Sequence, residues 1–133
     1  MQFLSKVNSD HRRRPIKVIQ FGEGNFLRAF VDYMIDIANE QNLFNGNIVI
    51  VKPIAHGNLD GFENQECQYT VQLRGLIDGC EYIESRVITS VDSAVDPFLD
   101  YQAYIKLASL DSLRFVVSNT TEAGIVYNEK DRF

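Results

Sequence analysis

Two glycines and one polar run carry the chemistry that this sequence could do. Gly22-Glu23-Gly24-Asn25 stands directly after an apolar run, Ile16–Phe21 (IKVIQF), and directly before a segment of helical periodicity. A dinucleotide fingerprint requires that context. Gly22 permits a tight turn, and Gly24 lets the backbone approach a pyrophosphate with no Cβ in the way. The free N–H groups and the positive end of the helix dipole then face the anion. The third position of the fingerprint holds Leu27 rather than glycine, which sets helix and strand farther apart. The alternative is a glycine-rich strand-to-helix connection with no ligand.

The polar run is Ser118 to Glu122, after the strand-like segment Arg114–Val117 (RFVV). In a doubly wound sheet ordered 3-2-1-4, the first and fourth strands are neighbours, and ligands bind in the crevice at their carboxyl ends. With RFVV as the fourth strand, both loops line that crevice. Asn119, Thr120 and Thr121 are then candidates to bond the ribose or nicotinamide side of a cofactor, or they cap the next segment, as Asn and Thr often do. Arg28, in the first helical turn, either reaches a phosphate or anionic substrate or pairs with Asp32 four residues on. The acid that holds the adenine ribose belongs at the end of the second strand. Lys52 and Pro53 occupy that place. A lysine there hints at a 2′-phosphate or is a solvated charge, so NAD and NADP both stay open.

The elements that must position these loops follow from periodicity. Residues 1–15 read as a polar arm. Phe26, Leu27, Phe30, Val31, Met34, Ile35 and Ala38 recur at three- and four-residue steps, which predicts a helix with one apolar face and with Asp32, Asp36, Asn39 and Glu40 turned away from it. Asn25 suits its N-cap. Ile48–Val51 (IVIV) is a second buried strand. Residues 54–66 read as loop. Residues 68–75 and 80–89 suit a hairpin turning near Ile77, which sets Cys80 opposite about Arg74; the alternative is a second arm that belongs in part to the parallel sheet. Asp96-Pro97 opens another helix, with Phe98, Tyr101, Ile105, Leu107, Ala108 and Leu110 as its apolar positions. The expected fold is an α/β, Rossmann-type doubly wound, mostly parallel sheet with an inserted β-hairpin, over residues 16–133.

Composition sets the limits. The 133 residues suffice for one domain, 45% are hydrophobic and 23% charged, and the net charge is −5. That balance argues against nucleic acid or an anionic membrane as partner, since phosphate binding wants clustered Lys and Arg. The basic cluster Arg12–Arg14 reads as a solvated tail. No stretch reaches the ~18 apolar residues of a membrane-spanning helix, and MQFLSKVNSDHRRR has no secretory apolar core. Cys67 and Cys80 lack metal-ligand spacing and lie apart in the hairpin register, so no metal site and no disulfide are expected, and the reading is a cytoplasmic protein with reduced thiols.

The stretch IQFGEGNFLRAFVD (Ile19 to Asp32) resembles the opening of the mannitol dehydrogenase family of long-chain polyol dehydrogenases, with its GxGxFxRA pattern matched at Gly22, Gly24, Phe26, Arg28 and Ala29. SNTTEAGI (Ser118 to Ile125) resembles the loop after the fourth strand in the family's hexuronate-reducing members. The resemblance implies a Rossmann domain that binds NAD(H), or NADP(H) in some members, within an NADH-linked oxidoreductase acting on a small sugar acid. It places Gly22, Gly24, Asn25, Phe26 and Arg28 in the first cofactor loop and Asn119, Thr120 and Thr121 in the second. The family's catalytic KxxxxNxxH pattern does not occur here: the lysines are Lys6, Lys17, Lys52, Lys106 and Lys130, and the histidines His11 and His56. The expectation is therefore a fragment without catalytic residues of its own. Alone it would bind cofactor weakly or not at all, and it could associate with itself through surface that the rest of the enzyme would cover. The alternatives are a non-enzymatic nucleotide-binding module and the same domain of a fructuronate or mannitol enzyme.

Overall fold

The structure is a computed structural model that describes residues 4–5, 13–120, 127 and 129–130. Four short strands form one parallel sheet: β1 (Ile16–Phe21), β2 (Asn47–Val51), β5 (Val91–Val95) and β6 (Phe115–Ser118). Their spatial order is β5-β2-β1-β6, which is the expected 3-2-1-4. β1 pairs in parallel with β2 on one side and with β6 on the other, in the register Val18 to Phe115 and Phe21 to Ser118. Burial on both faces explains the unbroken apolar run Ile48–Val51 of β2.

β5 is a strand that the sequence reading did not separate. Its residues, VDSAV, are small or polar, and they follow the hairpin's second arm with only two residues between. The hairpin itself comprises β3 (Tyr69–Ile77) and β4 (Cys80–Ile88), and its pairing is wholly antiparallel and separate from the parallel sheet. It turns at Asp78-Gly79, both with positive φ (51° and 79°), as a two-residue turn of the twist-matched kind needs. Cys80 therefore faces Ile77, not Arg74, and lies at the far end of the hairpin from Cys67. The loop of residues 54–66 contains a short helix, Asp60–Glu63, whose Phe62 is buried.

The first long helical segment corrects the expected burial. It runs as α-helix over Asn25–Leu27, as π-helix over Arg28–Asp32, and as α-helix over Tyr33–Glu40. Leu27, Asp32, Asp36 and Asn39 are buried, while Phe26, Phe30 and Met34 are exposed. The wider turn is the reason. An i→i+5 step carries the inward position from Leu27 to Asp32, and ordinary α-helical steps of four and three then select Asp36 and Asn39. The buried acids and amide are all bonded. Asp36 accepts from the backbone N–H and hydroxyl of Thr89 (2.8 and 2.9 Å) and from Arg86 Nε (2.7 Å), which docks the hairpin on the helix. Asn39 both donates to the carbonyl of Gly46 (2.8 Å) and accepts from its N–H (2.9 Å). Asn39→Ala leaves both backbone groups without that partner, and we expect it to lower unfolding free energy by about 2 kcal/mol in urea titrations.

The main core joins one sheet face (Val18, Ile48, Ile50, Val91) to the base of the hairpin (Tyr69, Val71, Ile88) and to Leu59 and Phe62. The second helix begins at Tyr101, not at Pro97: Asp96–Asp100 forms a turn, and Asp100 caps the helix by accepting from the N–H of Ala103 (2.8 Å). Phe98, Tyr101, Ile105 and Ala108 are exposed, and no residue of this helix is fully buried. Its Tyr104 packs edge-on over Phe21. Among the described residues no helix is long and apolar enough to cross a membrane.

Candidate functional site

The site begins where β1 stops. Gly22 has φ 121°, a conformation that L side chains rarely adopt, and its N–H donates to the carbonyl of Val51 at the end of β2 (3.0 Å). The chain is thereby turned sharply out of the sheet. Gly24 follows with φ −68° and ψ 157°, which any residue can adopt, and a Cβ built there would meet nothing within 4 Å. Nothing inside the molecule requires glycine at this position. What its missing side chain leaves is open approach to the backbone from outside, the feature a diphosphate cradle needs. Asn25 is the first helical residue rather than the cap, and its Oδ1 accepts from Arg28 Nη2. The Arg28 guanidinium lies over the rings of Phe62 and Tyr69 (5.6 and 5.3 Å to the centroids). Those rings hold it at the glycine loop without consuming its charge, and it makes no ion pair with Asp32. Phe26 is exposed and stacks on Phe30 at 5.5 Å.

The second loop starts beside the first. Ser118 is in register with Phe21, so Asn119 and Thr120 leave the sheet next to Gly22, and both are exposed. Thr121 lies outside the described residues. The structure thus brings Gly22, Gly24, Asn25, Arg28, Asn119 and Thr120 to the carboxyl ends of two neighbouring parallel strands.

Lys52 fits neither expectation. It is 2% exposed, forms an ion pair with Asp96 (2.7 Å), and donates to the carbonyls of Gly57 (2.7 Å) and Ala55 (3.3 Å). Its charge is committed within the protein and is not available to a 2′-phosphate. The hydrogen bond from Lys52 holds the Asp96 carboxyl below the ordinary carboxylate range. Beyond this pair, at the ends of β2 and β5, lies a cavity of about 470 Å³ whose walls carry Asp60, Glu63, Asp96 and Asp100.

A third group was not legible in the sequence. Beneath the glycine turn, Gln20 Nε2 donates to the carbonyl of Gly22 (3.2 Å) and to Asp32 Oδ2 (3.4 Å), and the Tyr69 hydroxyl donates to the same Oδ2 (2.5 Å). Burial pushes the Asp32 carboxyl up to about 6, against the opposing pull of the Tyr69 and Gln20 hydrogen bonds and of Arg28. Burial, and then the Asp32 carboxylate, push the Tyr69 phenol far up, so it stays a donor. The signal available in the sequence was the spacing of Asp32, Asp36 and Asn39, a polar stripe as regular as the apolar one.

A parallel sheet in this order, with a glycine turn and a polar loop at its switch point, defines a Rossmann-type α/β unit. Its relatives agree with the resemblance carried by the two loops. The chain is 47% identical over 133 residues to altronate oxidoreductase of Bacillus subtilis (strain 168), which covers 99% of this chain and 28% of that protein. It is 43% identical over 134 residues to altronate oxidoreductase of Klebsiella pneumoniae (strain ATCC 700721 / MGH 78578), with 100% and 28% covered. Its fold matches Pseudomonas fluorescens mannitol 2-dehydrogenase, solved as a ternary complex with NAD and D-mannitol (TM-score 0.73, 22% identity, 92% of this chain and 25% of that one). It also matches a D-sorbitol dehydrogenase in substrate-free form (TM-score 0.74, 21% identity, 97% and 29%). No family model matches the chain. The chain spans 28% of the length of these curated relatives.

Proposed function

We propose that this chain is the dinucleotide-binding part of an NADH-linked hexuronate reductase that converts tagaturonate to altronate. The observation that carries the reading is Gly24: an open, unstrained glycine at the mouth of a strand-to-helix turn, next to the polar loop of a neighbouring parallel strand. Gly22, Gly24 and Asn25 offer backbone to a diphosphate and Arg28 offers charge. Asn119 and Thr120 offer polar groups to the nicotinamide side. Bound NADH supplies the hydride that reduces a keto group. The chain's share is to hold the nicotinamide in the crevice. The lysine that protonates the carbonyl oxygen comes from outside this chain, so residues 1–133 alone turn over no tagaturonate.

Two observations favour NADH over NADPH. Lys52 is occupied by Asp96, and the cavity at the end of β2 carries three further carboxylates, Asp60, Glu63 and Asp100, which repel a 2′-phosphate and accept from ribose hydroxyls. The test is an NMR titration of the 15N-labelled chain with millimolar NADH. The amides of Gly22, Gly24, Asn25, Asn119 and Thr120 should shift, with NADPH giving the weaker response. Shifts confined to other residues, or none, would sink the cofactor assignment.

A further inference from the structure

We propose that Asp32 is a positioning residue of the glycine turn, coupled to it through Gln20 and tethered by Tyr69 of the hairpin, so that the proton state of this buried carboxyl sets how the turn presents its N–H groups. The proposal rests on the reading of that turn as an anion cradle. The links are short: Gly22 carbonyl to Gln20 Nε2, Gln20 Nε2 to Asp32 Oδ2, and Asp32 Oδ2 to the Tyr69 hydroxyl. Ser90 Oγ donates to the backbone carbonyl of Asp32 (2.9 Å), which fixes the helix at the same point. Asp32 and Gln20 are fully buried.

The arrangement is one donor short. Gln20 Oε1 and Asp32 Oδ1 are both buried acceptors without a hydrogen-bond partner, on side chains that already touch. A carboxylate there leaves both buried oxygens without a protein donor, which is costly. A neutral carboxyl supplies the missing donor. The titratable and charged groups that face Asp32 and its tyrosine are Tyr69 from β3 and Arg28 and Asp36 from its own helix. Arg28 favours the ionised form, but burial outweighs it, so the proton is lost only as pH rises through about 6. Ionisation then puts a negative charge behind a turn built to receive a diphosphate, and anion binding weakens. By reciprocity, a bound anion makes the carboxyl hold its proton more tightly.

The experiment is a pH titration of the 13C,15N-labelled chain without ligand. The Asp32 carboxyl carbon should titrate near pH 6, and the amides of Gly22, Glu23 and Gly24 should move with the same midpoint. In Asp32→Asn the amide transition should vanish. In Tyr69→Phe, which removes a hydrogen bond that favours the ionised form, both midpoints should rise together. Turn amides that stay flat through the Asp32 midpoint, or a transition that survives in Asp32→Asn, would overturn the proposal. So would Tyr69→Phe midpoints that part company, a test that stands even where Asp32→Asn does not fold. NADH affinity should fall about fivefold from pH 5 to pH 7.5, and a pH-independent affinity counts against the coupling. If NADH binds at no pH while turn and carboxyl still titrate together, the cofactor reading fails and the coupling stands.

Discussion

Gly24→Asp removes NADH binding and leaves the fold as it is. The backbone at Gly24 is extended, the position is exposed, and no atom lies within 4 Å of the added Cβ, so stability should stay within about 0.5 kcal/mol of wild type. The new carboxylate lands at the mouth of the turn, against the charge of a diphosphate. At a separation of about 5 Å and an effective dielectric near 20, like charges repel by about 3 kcal/mol. That is roughly a hundredfold in affinity. For a chain that binds in the millimolar range, the NADH-induced amide shifts should disappear, with the urea midpoint unchanged. A variant that responds to NADH as wild type does would mean that the diphosphate lies elsewhere. Gly22 is unsuitable for this test, because its φ of 121° makes any side chain there strained.

The largest loss of stability should come from Lys52→Met. Lys52 is the donor for one carboxylate and two carbonyls, on the loop after β2 and at the end of β5. Removing it leaves the Asp96 carboxylate and those carbonyls without that partner in a partly buried place. We expect a fall in Tm of roughly 10 °C. The double variant Lys52→Met with Asp96→Asn should recover part of it, since the uncompensated charge is then gone. A single variant that melts within about 2 °C of wild type would show that solvent reaches Asp96 and that the pair adds little.

How far the sequence was legible depended on which force set each element. Strand β2 is buried along its whole length and β1 at its centre, so composition alone marked them, and the apolar run of β6 was legible although Phe115 and Val116 stay exposed. β5 is made of small and polar residues and is held by pairing with β2, which leaves little trace in its own composition. The glycine turn was legible because Gly22 and Gly24 answer to backbone conformation and external approach, and both are local. The helix face was misjudged because periodicity assumes one constant turn. A single wide turn at Arg28–Asp32 moved the buried stripe from Phe30 and Val31 to Asp32 and Asp36. The same shift hid the Asp32–Tyr69–Gln20 group, whose members come from a helix, a hairpin and a strand and meet only in the folded chain. Lys52 was misread for a related reason: its partner, Asp96, is 44 residues away.

The strand order has a consequence for synthesis. β1 is made first, and its edge waits for β6; Ser112, just ahead of β6, closes on the carbonyl of Ile16 across 96 residues. At about 5–20 residues per second on a ribosome, that edge stays bare for several seconds, open to pairing with any other unpaired strand. Nascent chains should therefore be most prone to aggregate after β2 and before β6 emerge. Stalling translation in that window, rather than past it, should raise chaperone occupancy.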